Sequence, residues 1–435
     1  MARQSGAGAR PARGNQGGVA VGAGILSITL ADIQSAAVSI AGAVVRTPSV
    51  SAPVLAEILS ADQLVLKLEN LQLSGSFKAR GALVRLLALN EDERQQGVIA
   101  MSAGNHAQGV GLHARRLGIA ATIVMPRSTP FTKVERTEAL GAKVVLEGDN
   151  LTEAETHARS LAQDHGLTFI HPYDDAHIIA GQGTVGLEML TDHPDLDMLV
   201  VPVGGGGLAS GVAIAAKTLS PAIQIIGVQA VAYATMVRKP ALHDFPQASL
   251  QTLAEGIAVK RPGGLTRPLI DQWVDDVVSV GEAGIEHAVE LLVEREKLVV
   301  EGAGAAPLAA MLAEPERFRG KKVGMVISGG NIDNRLLASI LMRGLVRAGR
   351  LARLRIEISD APGTLAKVSS LIGANGGNIL EIYHQRLFQD VPVKYAELDV
   401  VVEATDTAHL RAMIDALNQA GYPARLLGST ATGGE

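Results

Sequence analysis

Between Val98 and Gln229 short apolar runs alternate with stretches of helical spacing. Val98-Ile99-Ala100-Met101, Ala121–Met125, Lys143–Leu146, Thr168–Ile170, Met198–Val203 and Ile223–Val228 read as strands. Lys133–Leu140, Thr152–His165 and Ala209–Leu219 read as helices. Upstream, Leu64-Val65-Leu66-Lys67-Leu68-Glu69 alternates as a half-buried strand does, and Ala79–Leu89 has helical spacing. This is the pattern of parallel α/β layers, which carry their ligand loops at the carboxyl ends of the strands. Past the Arg-rich stretch Arg343–Arg355, which reads as a helix end and linker, the pattern changes. Leu354–Ile358, Leu380–Arg386, Ala396–Glu403 and Ala424–Leu427 predict strands, and Thr364–Gly373 and Thr407–Ala420 predict helices. The resulting βαββαβ order is that of a ferredoxin-like domain.

Four polar loops sit at the ends of apolar runs. Ser74-Gly75-Ser76-Phe77-Lys78 puts a lysine at the start of a helix, where backbone N–H groups are free. An amine beside Phe77 and near a positive helix end loses its proton more easily than one in water, and a neutral lysine forms Schiff bases. A solvated helix lysine is the plainer reading of this segment alone. Ser102-Ala103-Gly104-Asn105-His106 offers a nest of N–H groups for a carboxylate or phosphate, or else an ordinary N-cap at Ser102 or Asn105. Gly204-Gly205-Gly206-Gly207-Leu208 lets backbone approach an anion at a helix N-terminus, though a tight turn would use the same residues. Ser328-Gly329-Gly330-Asn331 ends the apolar run Val323–Ile327.

In this order the four loops closely resemble those of the pyridoxal 5'-phosphate (PLP) enzymes of the tryptophan-synthase-β fold type, and within it the threonine dehydratase branch. The resemblance covers roughly residues 28–346. It implies an internal aldimine on Lys78 with Phe77 beside the ring, Asn105 on the 3-hydroxyl, and Ser328 facing the pyridine nitrogen. It gives the phosphate to Gly204, Gly205, Gly206, Gly207 and Leu208, and the substrate carboxylate to Ser102, Ala103, Gly104 and His106. The implied reaction is loss of water from L-threonine, and from L-serine, to give a 2-oxo acid and ammonia. Lys78 would take the α-proton. Uncharged Ser328 makes a weaker electron sink than a carboxylate would, which favours prompt β-elimination. Glu301-Gly302-Ala303-Gly304-Ala305 borders the cofactor or simply starts a helix. Gln182-Gly183-Thr184 is placed near the same site.

Serine racemases resemble this chain but carry a second serine, a base, where Ala103 stands, so two-base racemisation should be poor. Where those relatives hold a divalent metal, this chain reads Gln229-Ala230-Val231-Ala232-Tyr233-Ala234-Thr235 with no carboxylate. No divalent site is expected, and a monovalent cation held by carbonyls stays open. A racemase, a β-replacement enzyme or a catalytically dead amino-acid sensor are the alternatives. The C-terminal segment resembles the ACT regulatory domain through Asp-Ala-Pro-Gly and Gly-Asn-Ile. By that resemblance Asp360, Gly363, Asn378 and Ile379 line a pocket for an amino-acid effector such as isoleucine or valine, unless this copy only mediates assembly. The expected organisation is an extension over 1–24, a catalytic domain over 25–346 with a mobile part near 75–180, and an ACT domain over 352–428. ACT domains and this fold type both pair, so a homodimer or homotetramer is expected.

Composition adds exclusions. The 435 residues suffice for about three domains. With 47% hydrophobic but only 3% aromatic residues, the cores must be built from Val, Ile, Leu and Ala, as parallel sheets are. A net charge of −5 offers no basic surplus for nucleic acid or anionic lipid. The absence of cysteine removes disulfides and thiol nucleophiles. No apolar run is long enough to span a bilayer. The Gly-, Ala- and Arg-rich start lacks the apolar core of a signal peptide, so a disordered extension and a cytoplasmic enzyme are expected.

Overall fold

Parallel strands whose two faces are both apolar need helices on both sides, and two sheets of this chain are built that way. The computed structural model describes residues 28–237, 251–385 and 395–427. The expected amino-terminal extension and Arg386, the expected end of one strand, lie outside these residues. The larger sheet runs β1 (Ser49–Ser51), β2 (Gln63–Leu68), β10 (Lys322–Ile327), β7 (Met198–Pro202), β8 (Gln224–Ala230), β9 (Asp276–Val280). Only β1 is antiparallel to its neighbour. The smaller sheet, β5 (Lys143–Leu146), β4 (Ala121–Met125), β3 (Val98–Met101), β6 (Thr168–Phe169), is parallel throughout. Every residue of β7 is buried, and the Ala-rich helix Gly302–Ala313 is buried over Gly302–Met311.

Small residues bring three helices together backbone to backbone. These are Lys78–Leu87, Ala176–Asp192 and Gly207–Leu219. A Cβ on Gly181 would lie 2.6 Å from the Gly81 Cα, and one on Gly211 would lie 2.4 Å from the Ile179 carbonyl oxygen. The first turn of the Lys78 helix is thereby pinned to its neighbours. Gln182 belongs to this packing, its Oε1 accepting from the Gly81 N–H at 3.3 Å.

Two residues beyond Lys78 the chain buries a charge cluster. The Arg80 guanidinium is fully buried and donates to both oxygens of Glu69, each at 2.8 Å. It also donates to Glu188 at 2.6 and 2.9 Å and to the Thr184 hydroxyl at 3.2 Å. Lys67, on β2, reaches the Thr47 carbonyl and Glu188. Burial alone would push the Glu69 carboxyl up, but Arg80 outweighs it and holds it below the usual carboxylate range. The cluster joins β2, the Lys78 helix and the Ala176–Asp192 helix.

The third sheet, β12 (Asn378–Gln385), β13 (Tyr395–Glu403), β11 (Leu351–Ser359), β14 (Ala424–Leu426), is antiparallel and carries helices Thr364–Ala374 and Thr407–Gln419. The Arg-rich linker shrinks to Ala348–Arg350, because the helix Asn334–Arg347 and β11 divide the rest. Arg353 and Arg355 are strand residues, and their guanidiniums enclose the buried Asp399 at 2.7 Å each. Their charge pairs across the sheet, which the count of arginines along the chain does not reveal.

Candidate active site

Loops from β2, β3, β7 and β10 converge at the carboxyl ends of their strands. The turn before the Lys78 helix needs positive φ at Ser74 (60°) and Gly75 (71°). A Cβ on Gly75 would strike Asn331 Oδ1 at 2.6 Å, so glycine is required there on two counts. This turn is stitched to the loop after β10. Phe77 N–H donates to the Ser328 carbonyl at 3.1 Å, and Gly330 N–H donates to the Gly75 carbonyl at 2.9 Å. Ser328 is buried, and Ser76 and Gly329 pair as an isolated bridge.

Lys78 is the first residue of its helix, and its amine donates to the Pro172 carbonyl at 2.7 Å. The Phe77 ring centroid lies 5.2 Å from Nζ. Burial lowers the amine to about 8, partly opposed by the charge of Glu301. A buried amine that gives up its proton near neutrality is equipped both to bond a carbonyl carbon and to accept a proton.

In the loop after β3 the helix Asn105–Arg116 starts at an N-cap formed by Gly104, so neither Ser102 nor Asn105 serves as its cap. The Ser102 hydroxyl instead accepts from the Gly104 N–H at 3.1 Å. Ala103 packs its methyl against the core of the smaller sheet. The His106 ring is buried away from solvent, with Nε2 against the Ile170 carbonyl at 3.0 Å and Nδ1 without a partner among the described residues. Burial, helped by Lys78, lowers it to about 3, so the ring is neutral and what this residue offers an anion is its backbone N–H.

Asn105 makes contacts that no reading of its own loop foretells. Its Nδ2 donates to Glu301 Oε1 at 2.8 Å, and its Oδ1 accepts from Asn331 Nδ2 at 2.8 Å. Burial raises the Glu301 carboxyl to about 7 despite the Asn105 hydrogen bond. The bordering role read for Glu301 is thus accompanied by contact with Asn105 itself.

The glycine loop precedes the Gly207–Leu219 helix, whose N-cap Gly206 has φ 95°. The backbone N–H groups of Gly204, Gly205, Gly206, Gly207 and Leu208 find no acceptor among the described residues. The Tyr173 ring lies directly on Gly205, where a Cβ would come within 2.3 Å of ring atoms. Tyr173 OH donates to the Arg261 carbonyl at 3.0 Å, and Asp174 caps the turn at Gly264, Leu265 and Thr266. The His171–Asp175 segment was missed in the sequence. It follows β6, so the rule that located the other loops applies to it as well.

Gln229 Oε1 accepts from the Met236 N–H at 2.8 Å and holds the turn after β8. Among the described residues no group of three or more His, Asp or Glu could hold a metal ion, and no helix is long and apolar enough to cross a membrane. In the third sheet's domain, Asp360 and Gly363 line a hollow of about 360 Å³ together with Ser359, Thr364, Leu365 and His384. Asn378 and Ile379, expected in the same pocket, are not in its walls. Asn378 pairs across the strands with Glu403 at 2.7 Å, and Ile379 packs against the domain core.

Comparison with known proteins places this geometry. The pattern of the pyridoxal-phosphate dependent enzymes matches residues 40–329, and that of the ACT domain matches 352–421. An L-threonine ammonia-lyase of Thermotoga maritima is 43% identical over 407 residues, covering 92% of this chain and 100% of that relative. The solved processed form of threonine deaminase isoform 2 from Solanum lycopersicum shares 36% identity with a TM-score of 0.66, over 72% of this chain and 91% of that one. A serine racemase of Dictyostelium discoideum shares 35% identity with a TM-score of 0.64, over 70% and 99%. The chain therefore belongs to the pyridoxal-phosphate-dependent enzymes of fold type II and carries a C-terminal ACT domain.

Proposed function

We propose that this chain eliminates water from L-threonine to give 2-oxobutyrate and ammonia, and treats L-serine likewise to give pyruvate. The observation that carries the reading is the asymmetry of proton-moving groups: a buried amine of lowered basicity at Lys78, and only a methyl at Ala103. The relative of Thermotoga maritima named L-threonine ammonia-lyase, aligned over its whole length, supports the same reading.

The residues fit the cofactor. Five unpaired N–H groups from Gly204 to Leu208 stand ready for a phosphate at the positive end of a buried helix. Lys78 supplies the amine for the aldehyde, Phe77 lies beside it, and uncharged Ser328 would face the ring nitrogen. Bound pyridoxal phosphate supplies an electron sink for the bonds at an amino acid's α-carbon. Around it, the N–H groups that the Ser102–His106 loop leaves free among the described residues, those of Ala103, Asn105 and His106, would orient the substrate carboxylate. Lys78 takes the α-proton, and its burial keeps a useful share of the amine neutral at working pH.

Two outcomes test these roles. In cofactor-free protein, Lys78 is expected to capture added pyridoxal phosphate faster as pH rises, about tenfold per unit, until the rate levels off near the amine's value of about 8. Stopped-flow absorbance measures it, and a pH-independent rate would remove the neutral amine from the scheme. Ala103→Ser should restore the hydroxyl that the resembling racemases carry at this position and raise racemisation of L-serine by roughly 10–100-fold. Chiral chromatography of the residual substrate reads that change.

The decisive assay is turnover of L-threonine with L-serine and O-acetylserine alongside, following 2-oxo acid, ammonia and the configuration of unreacted substrate. Rapid 2-oxobutyrate formation supports the dehydratase. Racemised substrate or a replacement product would transfer the chain to the alternatives, and a colourless protein that binds only an amino acid would make it a sensor. We further propose that the ACT hollow around Asp360 and Gly363 takes isoleucine or valine, and that the working unit is a homodimer or homotetramer. Regulation requires the effector to bind two states of the enzyme unequally, so titration must shift the L-threonine saturation curve and not merely show binding.

A further inference from the structure

The hydrogen bonds around Asn105 form a chain with both ends fixed. At one end the Ser74 carbonyl, which can only accept, lies 2.7 Å from Asn331 Nδ2. Asn331 must therefore turn its amino group, and not its carbonyl, toward that point. The same amino group lies 2.8 Å from Asn105, so the Asn105 oxygen is the atom that receives it. At the other end the Glu301 carboxylate accepts from Asn105 Nδ2 at 2.8 Å. An asparagine side chain has one oxygen and two N–H donors, and this chain uses the oxygen and one donor. The donor that remains on Asn105 is a single N–H.

We infer that Glu301 is a positioning residue that locks the Asn105 amide so that the cofactor's phenolic oxygen meets a donor and is held in its ionised form. The inference rests on the placement of Asn105 against that oxygen. Glu301 is itself tightly seated. A Cβ on Gly329 would lie 2.6 Å from its Oε1 and one on Gly256 would lie 3.2 Å from it, so two glycines make room for the carboxylate. Its own N–H is tied to the Gly329 carbonyl at 3.1 Å. The charged groups facing it are Lys78 within the site, and Glu255 with its ion-pair partner Lys133 at the rim. A carboxylate is the acceptor best suited to the task, because hydrogen bonds to a charged oxygen are about twice as strong as neutral ones. With Glu301 buried and raised to about 7, the lock weakens as pH falls through neutrality.

The absorbance of the lysine-bound cofactor tests this, since its ionised and neutral phenolic forms have separate bands. In holoenzyme the ratio of ionised to neutral form should be high and should fall on acidification through neutral pH. Glu301→Ala should lower the ratio about tenfold, the effect of losing one charge-assisted hydrogen bond. Glu301→Gln keeps the shape and an acceptor but no charge, so it should lower the ratio by a smaller factor and abolish its pH dependence. A residue with only a structural part to play would lower the melting temperature and leave the ratio alone. Wild-type ratio and pH profile in both variants would overturn the inference, and Glu301→Gln alone decides it should Glu301→Ala fail to fold. Asn105→Ala separates the two levels. If it shifts the ratio while the Glu301 variants do not, only the lock is wrong; if it leaves the ratio unchanged, the placement of Asn105 falls.

Discussion

Lys78→Ala protein, incubated with pyridoxal phosphate and then freed of unbound cofactor, should lack the absorbance of a lysine-bound cofactor and turn over L-threonine at least about 10⁴-fold more slowly than the parent. The expected loss is this large because one side chain serves two roles, tethering the cofactor and moving the substrate's proton. Its fold should survive. Among the described residues the amine makes a single hydrogen bond, to the Pro172 carbonyl, and the helix it opens is held by Gly81, Gly181 and Gln182. Lys78→Arg sharpens the test. It keeps a cation in the same place, but a guanidinium does not give up its proton in proteins and forms no Schiff base here. Absorbance of the purified proteins, thermal melting and 2-oxobutyrate release together give the answer. A yellow, active Lys78→Ala protein would remove this lysine from the chemistry, and with it the proposed elimination mechanism.

Much of the scaffold that places Lys78 is legible as periodicity. β3, β4 and β5 fall on Val98–Met101, Ala121–Met125 and Lys143–Leu146, where apolar runs expected as strands are bounded by turns. The loops that gather around Lys78 are legible for the same reason, since a polar loop after a buried strand has only the carboxyl edge of the sheet to occupy. Contacts between distant parts of the chain leave no such trace. Asn105 meets Glu301 across 196 residues and Asn331 across 226, and no local spacing connects them. Tyr173 went unremarked because nothing in Pro-Tyr-Asp-Asp shows that Gly205 lies beneath the ring. Asn378 looked like a pocket residue from its turn, yet strand register sets it opposite Glu403. Arg80 shows the limit most clearly. It sits two residues past the lysine that identified the site, but its role depends on Glu69 and on Glu188, 11 and 108 residues away.

That cluster makes Arg80→Met the substitution with the largest expected effect on stability, a loss of roughly 3–5 kcal/mol. Methionine fills much of the space but leaves the fully buried Glu69 without its guanidinium and Glu188 with Lys67 alone. Stranding a charge costs more than the intact pair contributes, so the deficit should far exceed that of any exposed ion pair. The pH dependence identifies the cause. In the parent, Glu69 titrates below its usual range, so its contribution is present at neutral pH and fades as acid protonates it. In Arg80→Met, burial is no longer outweighed by the arginine and the Glu69 pKa rises above its unfolded value. A carboxylate held in that state costs stability at neutral pH, and protonation relieves the cost. The gap between parent and variant should therefore narrow as pH falls, and adding Glu69→Gln should recover much of it at neutral pH. Urea midpoints across pH measure both effects. A loss below about 1 kcal/mol, or a gap that widens in acid, would show that the cluster is not what holds the Lys78 helix against β2.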